Sequence, residues 1–291
     1  MSQNDDAVLT AAVGYVFTAP VGTARPSPAE LKTLDPSTYG SQVQTVKLTG
    51  APTGGTFVLT VGTSTAAIAY NASPDAVKAA LELLASVGAG NAQVTGVSLT
   101  DTNGFDIAWI GAKSATSQTI TGTATLTGGT TPALAVTLKA PSSLWNSVGH
   151  TSRGDLPEFG FDGGDHEVKG TWQNENLREI VTSPIADFLT LMLHQFDQNS
   201  FELYYGTDSA STAGVFGVGN GNVTPVEKAL LVLIVDGTNR VGFYAPKASV
   251  RRDDSVTLAT DDFATLPVKA TFLKQAGVNN KFEWVSADLF A

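Results

Sequence analysis

Residues 228–246 read KALLVLIVDGTNRVGFYAP. From Ala229 to Val235 every side chain is apolar, so a strand here needs cover on both faces, unlike the alternating strand of a sheet with one wet side. Asp236-Gly237 follows at once, and a second β-rich run, Arg240 to Pro246, follows that. An Asp-Gly pair between two such runs signals a hairpin, because the tight turns that match strand twist need positive φ. The stretch predicts strands Lys228–Val235 and Arg240–Pro246, the first at the middle of a sandwich or at an interface. It makes the chain mainly β.

Further strands are predicted on either side over Ala11–Thr18, His166–Gln173, Leu177–Val181, Phe201–Tyr205, Val215–Val218, Val250–Leu258 and Leu266–Lys274. One helix is predicted among them. Ser183 and Pro184 start it, and Ile185, Phe188, Leu189, Met192, Leu193 and Phe196 fall at i, i+3, i+4, i+7, i+8 and i+11, one stripe to bury against a sheet. His194 falls opposite that stripe near the helix end, where a cation is favoured. Val21–Gly40, with Pro26, Pro28 and Pro36, reads as an extended arm, either a linker or an arm ordered against a neighbouring subunit.

Composition changes at Ser41 and changes back at Ala140. Between them stand Lys47, Lys78, Lys113 and Lys139 against Asp75, Glu82, Asp101 and Asp106, which leaves the whole formal charge of −10 to the flanks. Inside, Phe57, Leu59 and Val61 alternate along a strand Thr56–Val61, with Thr65–Tyr70 as its partner. Ser73 and Pro74 start a helix carrying Val77, Ala80, Leu81 and Leu84, and Gly88 stops it. Strands Gln93–Leu99, Phe105–Ile110, Gln118–Leu126 and Ala133–Leu138 follow. The expected organisation is a strand and arm over 1–40, an inserted small α+β domain over 41–140, and a β-sandwich with one flanking helix over 141–291.

Several classes are disfavoured. With no cysteine there is no disulfide framework and no thiolate metal site. The first residues carry Asp5 and Asp6 where an export signal has basic ones, and the longest apolar run is too short to span a bilayer, so folding in a cytoplasm without membrane insertion is expected. A sequence pI near 4.7 is wrong for gripping nucleic acid. His150, His166 and His194 lack metal-ligand spacing, and neither a nucleophile elbow nor a phosphate loop occurs. Asp162 to Glu167 reads as an acidic turn rather than a cation site, and Gly214, Gly217, Gly219 and Gly221 as a hairpin tip. Arg251, Arg252, Asp253 and Asp254 read as a solvated turn or as complementary charges across an interface. No catalytic, cofactor-binding or metal-binding residue is assigned, no cofactor is expected, and the protein is not expected to be an enzyme.

The segment Trp145–Gly206, with Gly154-Asp155-Leu156-Pro157, the strand ending near Trp172, the Ser183-Pro184 helix with Asp187-Phe188, and Phe201-Glu202-Leu203, resembles major tail tube proteins of long, non-contractile-tailed bacteriophages. The resemblance covers residues 1–40 and 141–291. It implies a structural virion protein: hexameric rings that stack into a hollow tube, a conduit for double-stranded DNA ejection, with an N-terminal arm and hairpins linking rings. It also implies assembly in the host cytoplasm with a tape-measure protein, a tail terminator and distal tail proteins as partners. The insert, through Gly55-Thr56-Phe57 and Ile68-Ala69-Tyr70-Asn71-Ala72-Ser73, resembles a module found in phage virion proteins and some bacterial surface proteins, which places it on the tube exterior. An acidic bore suits passage, because a basic one would bind the duplex and release its counterions. The alternative is a virion or cell-surface adhesin whose insert binds carbohydrate.

Overall fold

The computed structural model describes residues 7–114, 116–212, 214–221 and 225–290; Asp5 and Asp6 lie outside them. In chain order the elements are β1 (Val13–Ala19), α1 (Pro28–Thr33), β2 (Val43–Thr49), β3 (Gly54–Val61), β4 (Thr63–Ser64), β5 (Ile68–Ala69), α2 (Pro74–Glu82), β6 (Ala92–Gly96), β7 (Phe105–Trp109), β8 (Thr121–Thr127) and β9 (Ala133–Ala140). They continue with β10 (Asn146–Ser147), β11 (Glu158–Asp162), β12 (His166–Thr171), β13 (Asn174–Val181), β14 (Ala186–Leu193), α3 (Gln198–Tyr205), β15 (Val226–Asp236), β16 (Asn239–Arg252), β17 (Leu266–Phe272) and β18 (Glu283–Val285). The chain divides into two compact units, Met1–Leu34 with Ser147–Ala291, and Asp35–Asn146.

The first unit is a β-sandwich made from one sheet of order β10-β1-β15-β16-β17-β14-β11, with β18 pairing β16. The apolar strand β15 lies between β1 and β16, and Ala229 to Leu233 are buried on both faces. Gly237 has φ 58°, as the two-residue turn from Asp236 to Asn239 requires. Arg240–Pro246 and the start of the expected Val250 strand are one element, β16. Its register shifts between Lys228 and Leu230, whose partners are Ala248 and Ala245, so Ala229 faces both Pro246 and Lys247. Such a bulge bends a strand and tolerates a residue without an N–H. Before it β16 pairs with β18, after it with β17, and the sheet folds over on itself there. Val16, Leu230 and Val232 thereby meet Leu189, Leu191, Leu193, Val268 and Ala270 in one core.

The other face of β15 corrects the expected arm. Residues 20–34 lie on their own sheet, and they contain the helix α1. Ser27 is its N-cap, in a capping box with Glu30, and Pro28 stands at its first turn, where a missing N–H costs nothing. Leu31 is fully buried, and a Cβ added at Gly242 would stand 3.3 Å from it, so the bare backbone of β16 lets the helix close down. The Tyr244 hydroxyl donates to the Thr23 carbonyl (2.8 Å), the Arg240 guanidinium to the carbonyls of Leu31 and Leu34, and Arg25 pairs with Glu283 (2.6 Å).

The Arg25 guanidinium, then Asn280, holds the Glu283 carboxyl below the usual glutamate range. A depressed carboxyl contributes stability that is complete above its unfolded value and is lost as pH falls through the folded one. Both side chains are about a third exposed or less, so the pair is worth about 1 kcal/mol. Arg25→Ala is expected to cost that much at neutral pH and little in strong acid, read as faster amide exchange at Leu31 and Leu34, whose N–H groups bond Ser27 and Glu30.

Three further expectations are corrected. The predicted helix over Ser183–Phe196 is the strand β14, paired with β11 and β17, with Leu189, Leu191 and Leu193 buried in alternation. The residues also carry a period of two, and the flanking strands decide between the two patterns. Ser183 instead closes a turn, its hydroxyl accepting from the Asp165 N–H (3.0 Å). The predicted strand Phe201–Tyr205 lies inside the helix α3: the Asp197 carboxylate accepts from the Ser200 N–H (2.9 Å), Gly206 at φ 92° ends it, and Leu203 and Tyr204 enter the core. This is the helix that flanks the sandwich. Val215–Val218 is a loop, not a strand: the Asp208 carboxylate accepts from Ala210 and Gly217 N–H groups (both 2.8 Å), and Phe216 packs on Phe201.

The second unit has two four-stranded sheets, β6-β7-β2-β9 and one in which β3 pairs with β4 and β5 on one side and β8 on the other. Val46, Phe57, Leu59, Ile107 and Trp109 from the sheets and Val77 and Leu81 from α2 share its core. The Ser73 hydroxyl caps α2, accepting from Ala76. The chain enters and leaves this unit at one place, where Ser143 N–H donates to the Gly40 carbonyl (2.9 Å).

Candidate assembly surface

Unpaired strand edges and exposed apolar side chains are what a self-associating β protein needs, and the first unit has both. Among the described residues its sheet ends at β11, which pairs only with β14, and at β1, whose outer side carries only the two-residue strand β10. Phe159 of β11 turns inward onto Phe243 (centroids 4.6 Å) and Trp284 (5.2 Å), while Phe161 is 68% exposed. Val13 is half exposed at the start of β1. Sequence reading missed β11, although Glu-Phe-Gly-Phe-Asp alternates along it.

The β12–β13 hairpin is a sheet by itself. Every residue of both strands is exposed. The pairs His166↔Val181, Val168↔Glu179 and Lys169↔Arg178 place Val168, Leu177 and Val181 on one face, with Glu167, Lys169, Arg178 and Ile180 on the other. Salt bridges run along each face, Lys169 to Glu167 (2.5 Å) and His166 to Glu179 (3.5 Å). At the tip Trp172 is 98% exposed. A lone two-stranded hairpin is marginally stable at best in water.

The histidines, the acidic turn and the charged pairs have structural partners among the described residues. His194 follows β14 and so does not sit at the C-terminus of a helix; its Nδ1 is 3.1 Å from the Ala264 carbonyl oxygen and its ring lies on Phe263. His150 bonds His194 through the backbone, and His166 is on the hairpin. Asp162 pairs with Lys269 (3.0 Å), and Gly163 and Gly164 take φ 79° in the turn to β12. Among the described residues no three His, Cys, Asp or Glu side chains stand together as metal ligands. Arg251 and Arg252 end β16 and are exposed together with Asp253 and Asp254, whose carbonyl accepts from the Tyr204 hydroxyl (2.6 Å). In the second unit Phe57, Phe105 and Trp109 are core residues and Tyr70 is half-buried, so these rings form no platform for a sugar.

A model of the family described as phage tail tube protein matches residues 1–66 and 115–291. The chain is 39% identical over 290 residues to the major tail protein Gp23 of Mycobacterium phage D29, and 38% identical to that of Mycobacterium phage L5. Each comparison covers 100% of this chain and 96% of the relative. The chain, a mainly β structural component of the virion tail, therefore belongs to the phage tail tube protein family.

Proposed function

We propose that this subunit has no catalytic role and acts by closing into hexameric rings that stack into a tube through which double-stranded DNA leaves the particle. One observation carries the reading: a hairpin with both faces in water and a bare Trp172 at its tip, a structure that gains its stability only by lying on a neighbour. The free edges of β1 and β11 supply the second contact, since joining edges around a ring removes what would otherwise aggregate. Tube length set by a tape-measure protein, and ends closed by terminator and distal tail proteins, follow from the family reading.

The unit Asp35–Asn146 is an accessory on the tube exterior in this proposal. Because Gly40 and Ser143 are hydrogen-bonded, replacing Ser41–Ala140 by a few Gly-Ser residues leaves the ends where they were. Electron microscopy of that shortened chain is expected to show rods of unchanged bore and ring spacing but a thinner outline. Loss of all rods, with the remaining unit folded by circular dichroism, refutes the accessory assignment.

A further inference from the structure

Among the described residues β8 is an edge strand, paired with β3 on one side only. Successive residues of a strand direct their N–H and C=O groups to opposite sides. On β3, Leu59 bonds Thr65 through both groups (3.1 and 2.9 Å) and the Gly55 carbonyl accepts from Tyr70 (3.1 Å), all away from β8. Thr56, Val58 and Thr60 therefore face β8 and occupy Thr125, Thr123 and Thr121. Gly122, Ala124 and Leu126 are left with backbone groups directed outwards, and Gly122 and Ala124 are exposed.

Edges are ordinarily guarded by charge, proline, a bulge or cover. β8 lacks the first three: the sequence holds no charged residue between Lys113 and Lys139, the strand has no proline, and its register against β3 runs unbroken from Gly54↔Thr127 to Thr60↔Thr121.

The strand TGTATLT also fits itself. Turned antiparallel about a two-fold at Ala124, it sets Gly122 against Leu126 and Ala124 against Ala124, so outward groups meet outward groups. It sets Thr123 against Thr125 and Thr121 against Thr127, extending the cross-strand pair Thr56–Thr125. The 41–140 stretch is neutral, so two copies approach here without the repulsion of the acidic flanks. We infer that β8 is a two-fold docking edge for β8 of a second copy of this chain. Rings stacked head to tail contain no such two-fold. The contact therefore joins a subunit to one outside its own tube, beyond the tube-building role proposed above.

The chain lacks cysteine, which gives a clean cross-linking test. Full-length Thr123→Cys and Thr125→Cys are prepared separately and oxidised mildly, alone and mixed. Directly opposed residues have Cβ atoms about 5 Å apart, near disulfide reach, so the mixture is expected to give about tenfold more dimer than either variant alone. Adding Thr127→Lys to the first and Thr121→Lys to the second sets like charges opposite each other and is expected to suppress it. Equal cross-linking by either variant alone, an unlinked mixture of folded chains, or indifference to the lysines overturns the inference.

Discussion

A chain in which His166–Val181 are replaced by two glycines is expected to fold and to form no tubes. The cut lies outside the core, because none of these residues is buried, and its base is already closed by the Thr182 N–H on the Asp165 carbonyl (2.8 Å). What disappears is the exposed Val168, Leu177 and Val181, which share a face with His166 and Glu179, and the Trp172 tip. Obligate interfaces exceed roughly 2,000 Å², and their energy is concentrated in a few buried aromatic anchors worth about 2 kcal/mol or more. Trp172→Ala alone is then expected to raise the critical concentration for assembly about thirtyfold. Light scattering against concentration, with electron microscopy of the pellets, measures both. Rods of normal length from the hairpinless chain at the wild-type concentration refute the role given to the hairpin.

Legibility in the sequence followed the uniqueness of each pattern. Ala229–Val235 admits one reading, because seven uniformly apolar residues running into Asp-Gly and a second β-rich run make a hairpin strand that needs two covered faces. α2 was equally plain, with Ser73, Pro74 and Gly88 agreeing with the apolar spacing. Ser183–Phe196 was ambiguous: Leu189 and Leu193 belong to a stripe of either period, and only pairing with Phe159 on β11 and Ala270 on β17 decides. The true helix was marked by Asp197 and Gly206 at its two ends, a weaker signal than the six-residue stripe that outbid it. The strap Pro20–Leu34 escapes local reading for a different reason. Its cover, Gly242 and Tyr244, is over two hundred residues away, and no local pattern encodes that. Trp172 was visible as a residue but not as an exposed one, since exposure belongs to the hairpin's standing apart from the sheet.

Phe243→Ala is expected to be the most damaging single core change in the first unit. The ring is 1% exposed and lies within 5.4 Å, centroid to centroid, of Phe159, Phe272, Phe282 and Trp284. Truncating a buried Phe costs about 3–5 kcal/mol through lost transfer energy and the cavity left behind. Against a whole-domain stability of about 5–15 kcal/mol that is a large fraction, and a unit of this size is expected to melt about 10 °C lower. The consequence for assembly is sharper than for folding. Phe159 fastens the edge strand β11 to the sandwich through this ring, so the variant is expected to lose order at Glu158–Asp162 first and to fail at ring closure below its melting temperature. Leu191→Ala, buried in the same core on β14, is the control: a similar loss of about 2–5 kcal/mol without direct release of the β11 edge. If calorimetry shows matched losses and both variants assemble equally well at 20 °C, the edge is not held by the aromatic cluster, and ring closure depends on fold stability alone.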